Sequence, residues 1–279
     1  MLFRISSLIK LFVRRRFTIL RVFITLFTLV FIIFTNSLYS QIVNIQPFLK
    51  EKSLDGFSFK LKGAFEWKTG NTDMKKLDLA LAGRYIKSNH LILAITEASY
   101  AKKNAERFIS KTFNHLRYRY KIINWLGFEG FGQYEFDEFR RIDLRALGGL
   151  GFRLTPISTK IIEISLASAY MYEINRNKAG NFPDSSLEST YHRWSSYLNI
   201  DITLASNLNL FSTLYIQPRF DEFSDYRLLN ENSLTIKVNK WLNFVLQSNI
   251  SYDSTPLYGV KALNTSVTTA IELTFDTSK

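Results

Sequence analysis

The side chains that could do chemistry in this chain are charged residues that alternate with apolar ones between residues 109 and 154. The set comprises Arg117, Arg119, Lys121, Glu129, Glu135, Asp137, Arg145 and Arg153. Residues two apart lie on the same face of a β-strand, so three neighbouring strands would place these charges on one face of a sheet. There the cluster could close on itself as a network of ion pairs, or it could select charged solutes.

Catalytic interpretations of these and other polar residues find less support. Glu135 and Asp137 have the composition of a glycosidase pair, but they lie two apart on one strand with arginines within reach, which predicts ion pairing. Among the three histidines, His192 near Ser196 is the candidate for a lipid-facing Ser–His pair, yet no local motif surrounds it. We therefore predict no catalytic residue, no cofactor and no metal site.

The same alternation extends over most of the chain and predicts an all-β fold. Twelve strands are expected: three within residues 109–154, and the others at 56–67, 74–87, 90–101, 160–174, 191–204, 208–219, 226–238, 241–253 and 264–275. Each has one apolar and one polar face, except 90–101, whose faces are both mostly apolar and whose register stays open. Strands of about 11 to 15 residues exceed the usual soluble strand and suffice for a tilted membrane crossing.

The predicted connections alternate in length along the chain. Residues 88–89, 123–124 and 239–240 are very short connections, whereas 175–190 is the longest of the other series. Short periplasmic turns alternating with longer outer loops are typical of an outer-membrane β-barrel. The sequence therefore predicts a twelve-stranded antiparallel transmembrane barrel over residues 56–275, with both ends of the chain on the periplasmic side.

The first 40 residues predict a cleaved signal peptide. They carry six basic and no acidic residues, and the apolar core at 22–34 is shorter than the roughly 20 residues of a membrane-spanning helix. Residues 41–55 would form a short periplasmic lead-in. The formal net charge of the whole chain is +12. Without the first 40 residues, 30 basic and 24 acidic residues remain, and they are interleaved along the chain. Because they form no basic patch, nucleic-acid binding is not expected.

Several sequence landmarks resemble a known family. They are the segments 70–73, 134–139 and 149–152, with Arg145 between the last two, and Pro256, Gly259, Lys261, Asn264 and Thr265 near the end. In this order and spacing the chain resembles the YdiY-like salt-induced outer-membrane protein family, a domain-of-unknown-function family. The resemblance implies a barrel in the cell outer membrane and brings no established activity.

The leading functional prediction is a narrow passive channel or structural barrel with a charged lumen. One alternative is a surface interaction protein that binds a partner through its outer loops, foremost 175–190. Another is a lipid-acting outer-membrane enzyme that depends on His192. The expected partners are outer-membrane lipid and, during biogenesis, the barrel-assembly machinery, while the solute, if any, is left open.

Overall fold

The computed structural model describes residues 55–68, 74–103, 106–138, 140–183 and 187–276. The predicted signal peptide, the lead-in up to residue 54 and the connection 69–73 lie outside the described residues. The described strands are β1 (Gly56–Lys68), β2 (Met74–Lys87), β3 (His90–Lys103), β4 (Glu106–Ile123), β5 (Leu126–Asp137), β6 (Ile142–Ser158), β7 (Ile162–Asn177), β8 (Glu188–Ala205), β9 (Leu208–Pro218), β10 (Tyr226–Lys237), β11 (Leu242–Asp253) and β12 (Leu263–Asp276).

The strands pair antiparallel in sequence order, and β12 returns to β1, so the described residues form a closed barrel of twelve strands. This confirms the predicted fold class. The closing pair β1–β12 joins six described residue pairs, from Ser58 with Asp276 to Gly63 with Ile271, whereas β1 joins β2 over thirteen. Closure leaves each strand a partner on both sides, which a sheet in lipid requires.

The barrel has two unlike ends, which we call the turn end and the loop end. The turn end carries the connections 88–89, 124–125, 159–161, 206–207 and 238–241. The loop end carries 69–73, 104–105, 138–141, 178–187, 219–225 and 254–262. At the turn end the backbone N–H of Ser88, a residue with φ of 53°, donates to the Asp55 carboxylate at 3.0 Å.

The outer wall of the barrel is apolar and the inside is polar, the reverse of a soluble protein. Leu116, Leu150 and Phe152 expose more than half of their surface to the outside. Arg117, Glu129 and many other charged side chains are buried within the lumen. No helix in the described part of the chain is long and apolar enough to cross a membrane.

Strand β3 settles the register that its sequence left open. Leu91, Leu93 and Ile95 point inward and are at most 5% exposed. They pack with Ala82 and Ile86 of β2 and Phe113 of β4 in a buried apolar cluster. One sector of the lumen is therefore filled by hydrocarbon, and we call these six residues the apolar cluster.

Two loop-end connections are shorter than predicted, because the strands continue beyond the expected ends. Between β7 and β8 the pairing reaches Arg176 with Glu188, which reduces the predicted connection 175–190 to 178–187. Between β3 and β4 it reaches Lys103 with Glu106. Polar residues at these strand ends made them resemble loops in the sequence.

Candidate functional site in the barrel lumen

Three of the predicted charges meet inside the lumen around Glu129. Arg117 Nη1 lies 2.9 Å from one carboxylate oxygen of Glu129, and Arg119 Nε lies 2.7 Å from the other. The side chains are at most 5% exposed. Burial removes water from these charges, so each must be compensated by its partner. The arrangement follows from the register, which sets Glu129 of β5 directly opposite Arg119 of β4.

Tyr197 of β8 extends this group across the lumen. Its hydroxyl donates to Glu129 at 2.9 Å and accepts from Arg153 Nη1 at 3.0 Å. Arg153 also donates to Ser165 at 2.7 Å and lies 3.5 Å from Glu163. We call Arg117, Arg119, Glu129, Arg153 and Tyr197 the Glu129 layer. Tyr197 was not predicted as a site residue, although it shares strand parity with the inward-facing Arg193 and Asn199.

Glycines in β6 make room for the aromatic side chains beside this layer. A Cβ atom on Gly149 would collide with the ring of Phe131 on β5, which is its cross-strand neighbour. The Arg117 guanidinium lies 5.1 Å from the centre of that ring, within range of a cation–π contact. Gly149 therefore positions Phe131, which in turn borders Arg117.

A second ionic group lies nearer the loop end and centres on Glu173 of β7. Arg227 Nη1 donates to both Glu173 oxygens, at 2.7 and 2.8 Å, and Arg145 and Arg193 approach to 3.5 and 3.4 Å. Arg145 also lies 3.5 Å from Glu135, its cross-strand neighbour. We call Glu135, Arg140, Arg145, Glu173, Arg193 and Arg227 the Glu173 layer.

The eight charges of the predicted cluster thus do not form one constriction. Arg117, Arg119, Glu129 and Arg153 belong to the Glu129 layer, and Glu135 and Arg145 to the Glu173 layer. Asp137 is buried beside the latter and accepts a hydrogen bond from the Arg140 backbone at 3.0 Å. Lys121 joins neither group, because its position near the 124–125 turn leaves the side chain exposed.

A cavity of about 120 Å³ lies in the loop-end half of the lumen. It extends from the Glu129 layer to the connection 254–262. Its walls are largely aromatic and aliphatic: Phe113, Phe131, Met171, Tyr197, Tyr215 and Leu229. Arg140, Arg227 and Asp253 contribute its polar rim. A site of this kind, apolar with a few convergent polar groups, suits a small ligand.

Three loop-end connections are joined over this region by Arg141. Its Nη1 donates to the Tyr258 carbonyl at 2.7 Å, and its guanidinium lies 3.7 Å from the centre of the Phe182 ring. The Lys178 backbone N–H donates to the Arg141 carbonyl at 2.8 Å. These contacts link 138–141, 178–187 and 254–262, and the last of these also lines the cavity.

Another loop-end group lies at the β9–β10 connection. The hydrogen bond from Arg219 to Asp221 holds the pKa of that exposed carboxyl below its usual value. Arg219 also pairs with Asp225 at 3.0 Å. These contacts order the connection 219–225.

His192 does not assemble a Ser–His pair in the described structure. Its Nδ1 lies 2.5 Å from the hydroxyl of Tyr170, and its ring packs against Tyr172 at 5.2 Å between centres. Its cross-strand neighbour is Tyr172, whereas Ser196 lies four residues further along β8 and pairs with Ser168. Within the described ranges, no group of three or more His, Asp or Glu side chains is placed to hold a metal ion.

A family model matches residues 63–276, nearly the whole barrel, and its description reads "Protein of unknown function, DUF481". The chain belongs to this family. The family resemblance predicted from the landmarks is thereby confirmed. No curated relative matches the sequence.

Solved structures with a similar fold include porins and a translocator domain. The NanC porin is 10% identical, with a TM-score of 0.47, over 80% of this chain and 99% of its own. The translocator domain of autotransporter NalP from Neisseria meningitidis is 10% identical, with a TM-score of 0.46, over 81% and 89%. The KdgM porin is 13% identical, with a TM-score of 0.43, over 79% and 97%. Likenesses this distant carry no argument about function.

Proposed function

We propose that this member of the family is a structural barrel of the outer membrane whose lumen is closed, at rest, by its own side chains. Passive movement of solutes would require that packing to open. The observation that carries the proposal is the Glu129 layer, in which Arg117 and Arg119 both pair with Glu129 and all three side chains are nearly inaccessible to water.

Ion-pair geometry supports a closed lumen rather than a selectivity filter. Lumen charges of an open pore are hydrated and keep hydrogen-bonding capacity for passing ions. Here both oxygens of Glu129 are already bonded to arginines, and Tyr197 adds a third contact. The apolar cluster fills the neighbouring sector without any polar group. An ion entering this level would have to displace the pairs before it could pass.

The outer surface supports a membrane location. Leu79 on β2, Leu116 on β4 and Leu214 on β9 are each more than 40% exposed on the outside of the wall. Exposure of so much apolar surface to water would be unfavourable, whereas hydrocarbon accepts it. Trp125 and Trp241 are the last residues of two turn-end connections, where an interfacial aromatic girdle is expected.

The proposal is tested by single-channel recording of the refolded protein in a planar bilayer. The wild-type barrel should be silent, with heat-modifiable gel mobility showing that it has folded. A triple variant, Arg117→Ser, Glu129→Ser and Arg153→Ser, should conduct in discrete steps because three buried side chains are shortened. The matched control is Arg176→Ser with Asp143→Ser, an exposed pair at the loop end, and it should stay silent. Steady stepwise conductance of the wild type would overturn the proposal.

A further inference from the structure

The cavity above the Glu129 layer presents guanidinium groups whose hydrogen-bonding capacity is not fully used. Arg227 donates Nη1 to Glu173 and Nε to Asp253, and its Nη2 makes no hydrogen bond to a described residue. Arg140 donates Nη1 to Glu135 at 3.3 Å, and its side-chain Nε and Nη2 likewise have no acceptor among the described residues. Both residues line the cavity.

The carboxylates beside these arginines are, by contrast, occupied. Glu135 faces Arg140 with one oxygen and Arg145 with the other. Asp253 accepts from Arg227 with one oxygen and from the Thr255 backbone with the other. The rim therefore offers donors rather than acceptors, and Lys261 adds an exposed positive charge to it. Planar guanidinium groups with free N–H donors are suited to a carboxylate.

The walls and volume define the rest of the ligand. Phe131, Met171 and Leu229 supply an apolar surface, and Tyr197 and Tyr215 lie with their ring centres 5.3 Å apart. A cavity on the order of 150 Å³ with apolar walls can hold benzene, so about 120 Å³ suits one ring and little more.

We infer that this cavity binds a single-ring aromatic carboxylate, with the ring between the apolar walls and the carboxylate at Arg140 and Arg227. The inference rests on the proposed function, because a closed Glu129 layer makes the cavity a pocket with a floor. The longer connections of the loop end are expected on the outside of the cell, as the alternation of connection lengths predicts. The ligand would then enter from outside and remain above the closed layer.

The test is isothermal titration of the folded protein in detergent micelles with benzoate as the probe. Benzamide keeps the ring and removes the charge, benzylammonium reverses the charge, and acetate lacks the ring. Benzoate should bind saturably. Benzamide should bind about tenfold more weakly, as expected for loss of a charge-assisted hydrogen bond, and acetate and benzylammonium should give no saturable heat.

Two variants separate the rim from the walls. Arg140→Gln removes the positive charge and the planar guanidinium while Arg145 still pairs with Glu135, and it should weaken benzoate binding about tenfold. Leu229→Trp fills the cavity and should abolish binding without changing charge. Arg176→Gln is the matched control, since this arginine lies at the same end but pairs with Asp143 outside the cavity. It should bind as the wild type does.

Each result decides the inference. A folded wild type that takes up no benzoate overturns it, as does equal affinity for benzamide or equal behaviour of Arg140→Gln and Arg176→Gln. Conductance recordings test the closed lumen, independently of the ligand class. A conducting wild type that still binds benzoate at Arg140 would contradict the closed barrel but not the ligand class, whereas a silent barrel without benzoate binding would contradict the ligand class alone.

Discussion

Two sectors of the same lumen are filled by opposite chemistry. On the β4–β8 side, the Glu129 layer packs buried arginines around a single glutamate, which pairs with Arg117 and Arg119. On the β2–β4 side, the apolar cluster packs Leu91, Leu93 and Ile95 with no charge to compensate. Both exclude water. The difference is that the ionic sector depends on every member being present, while the apolar sector depends on volume and loses stability in proportion to what is removed.

The largest expected effect is in the ionic sector. Glu129→Ala leaves Arg117 and Arg119 buried without their shared carboxylate, which should lower the free energy of unfolding by about 3–5 kcal/mol. A urea titration in detergent micelles, followed by tryptophan fluorescence, measures this change. Its control is Arg176→Ala, whose partner Asp143 is exposed, with an expected cost of about 0–1 kcal/mol. Equal effects of the two substitutions would contradict a water-excluded Glu129 layer.

The apolar sector should respond more gradually. Leu93 is fully buried, so Leu93→Ala should cost about 2–5 kcal/mol, and Leu93→Met, which nearly conserves volume, less than about 1.5 kcal/mol. The same titration measures both. Conservative replacement should rescue stability here, whereas Glu129→Gln keeps the shape but removes the charge and should not. If Leu93→Met were as costly as Leu93→Ala, the sector would not be a volume-limited packing.

The inside and outside of the wall could be predicted from sequence because a strand has a period of two. The alternation predicts opposite faces for the neighbours Leu116 and Arg117, and the structure places Leu116 outside and Arg117 inside. The same rule could not resolve β3, since Leu91 and Ile92 are both apolar and nothing in the alternation says which one meets lipid. Its inward residues became clear only from their packing against Phe113.

The division of the charges into two layers could not be predicted either. It depends on the register between strands and on which strands face each other across the lumen. Arg227 and Glu173 are 54 residues apart and come from β10 and β7, so their contact exists only once the barrel has closed. Tyr197 has a weaker signal in the sequence: it shares strand parity with Arg193, which places it on the inward face of β8.

The claim that the lumen is closed at the Glu129 layer can be tested most directly by thiol accessibility, because the chain has no cysteine of its own. Ser165 accepts a hydrogen bond from Arg153 in this layer and is 0% exposed, whereas Ser224 is exposed in the 219–225 connection. Ser165→Cys and Ser224→Cys would each be treated with a charged, water-soluble thiol reagent in the folded barrel. We expect rapid modification of Ser224→Cys, and modification of Ser165→Cys only after unfolding in urea. Modification of both at similar rates in the folded state would show that water reaches the layer and that the lumen is open.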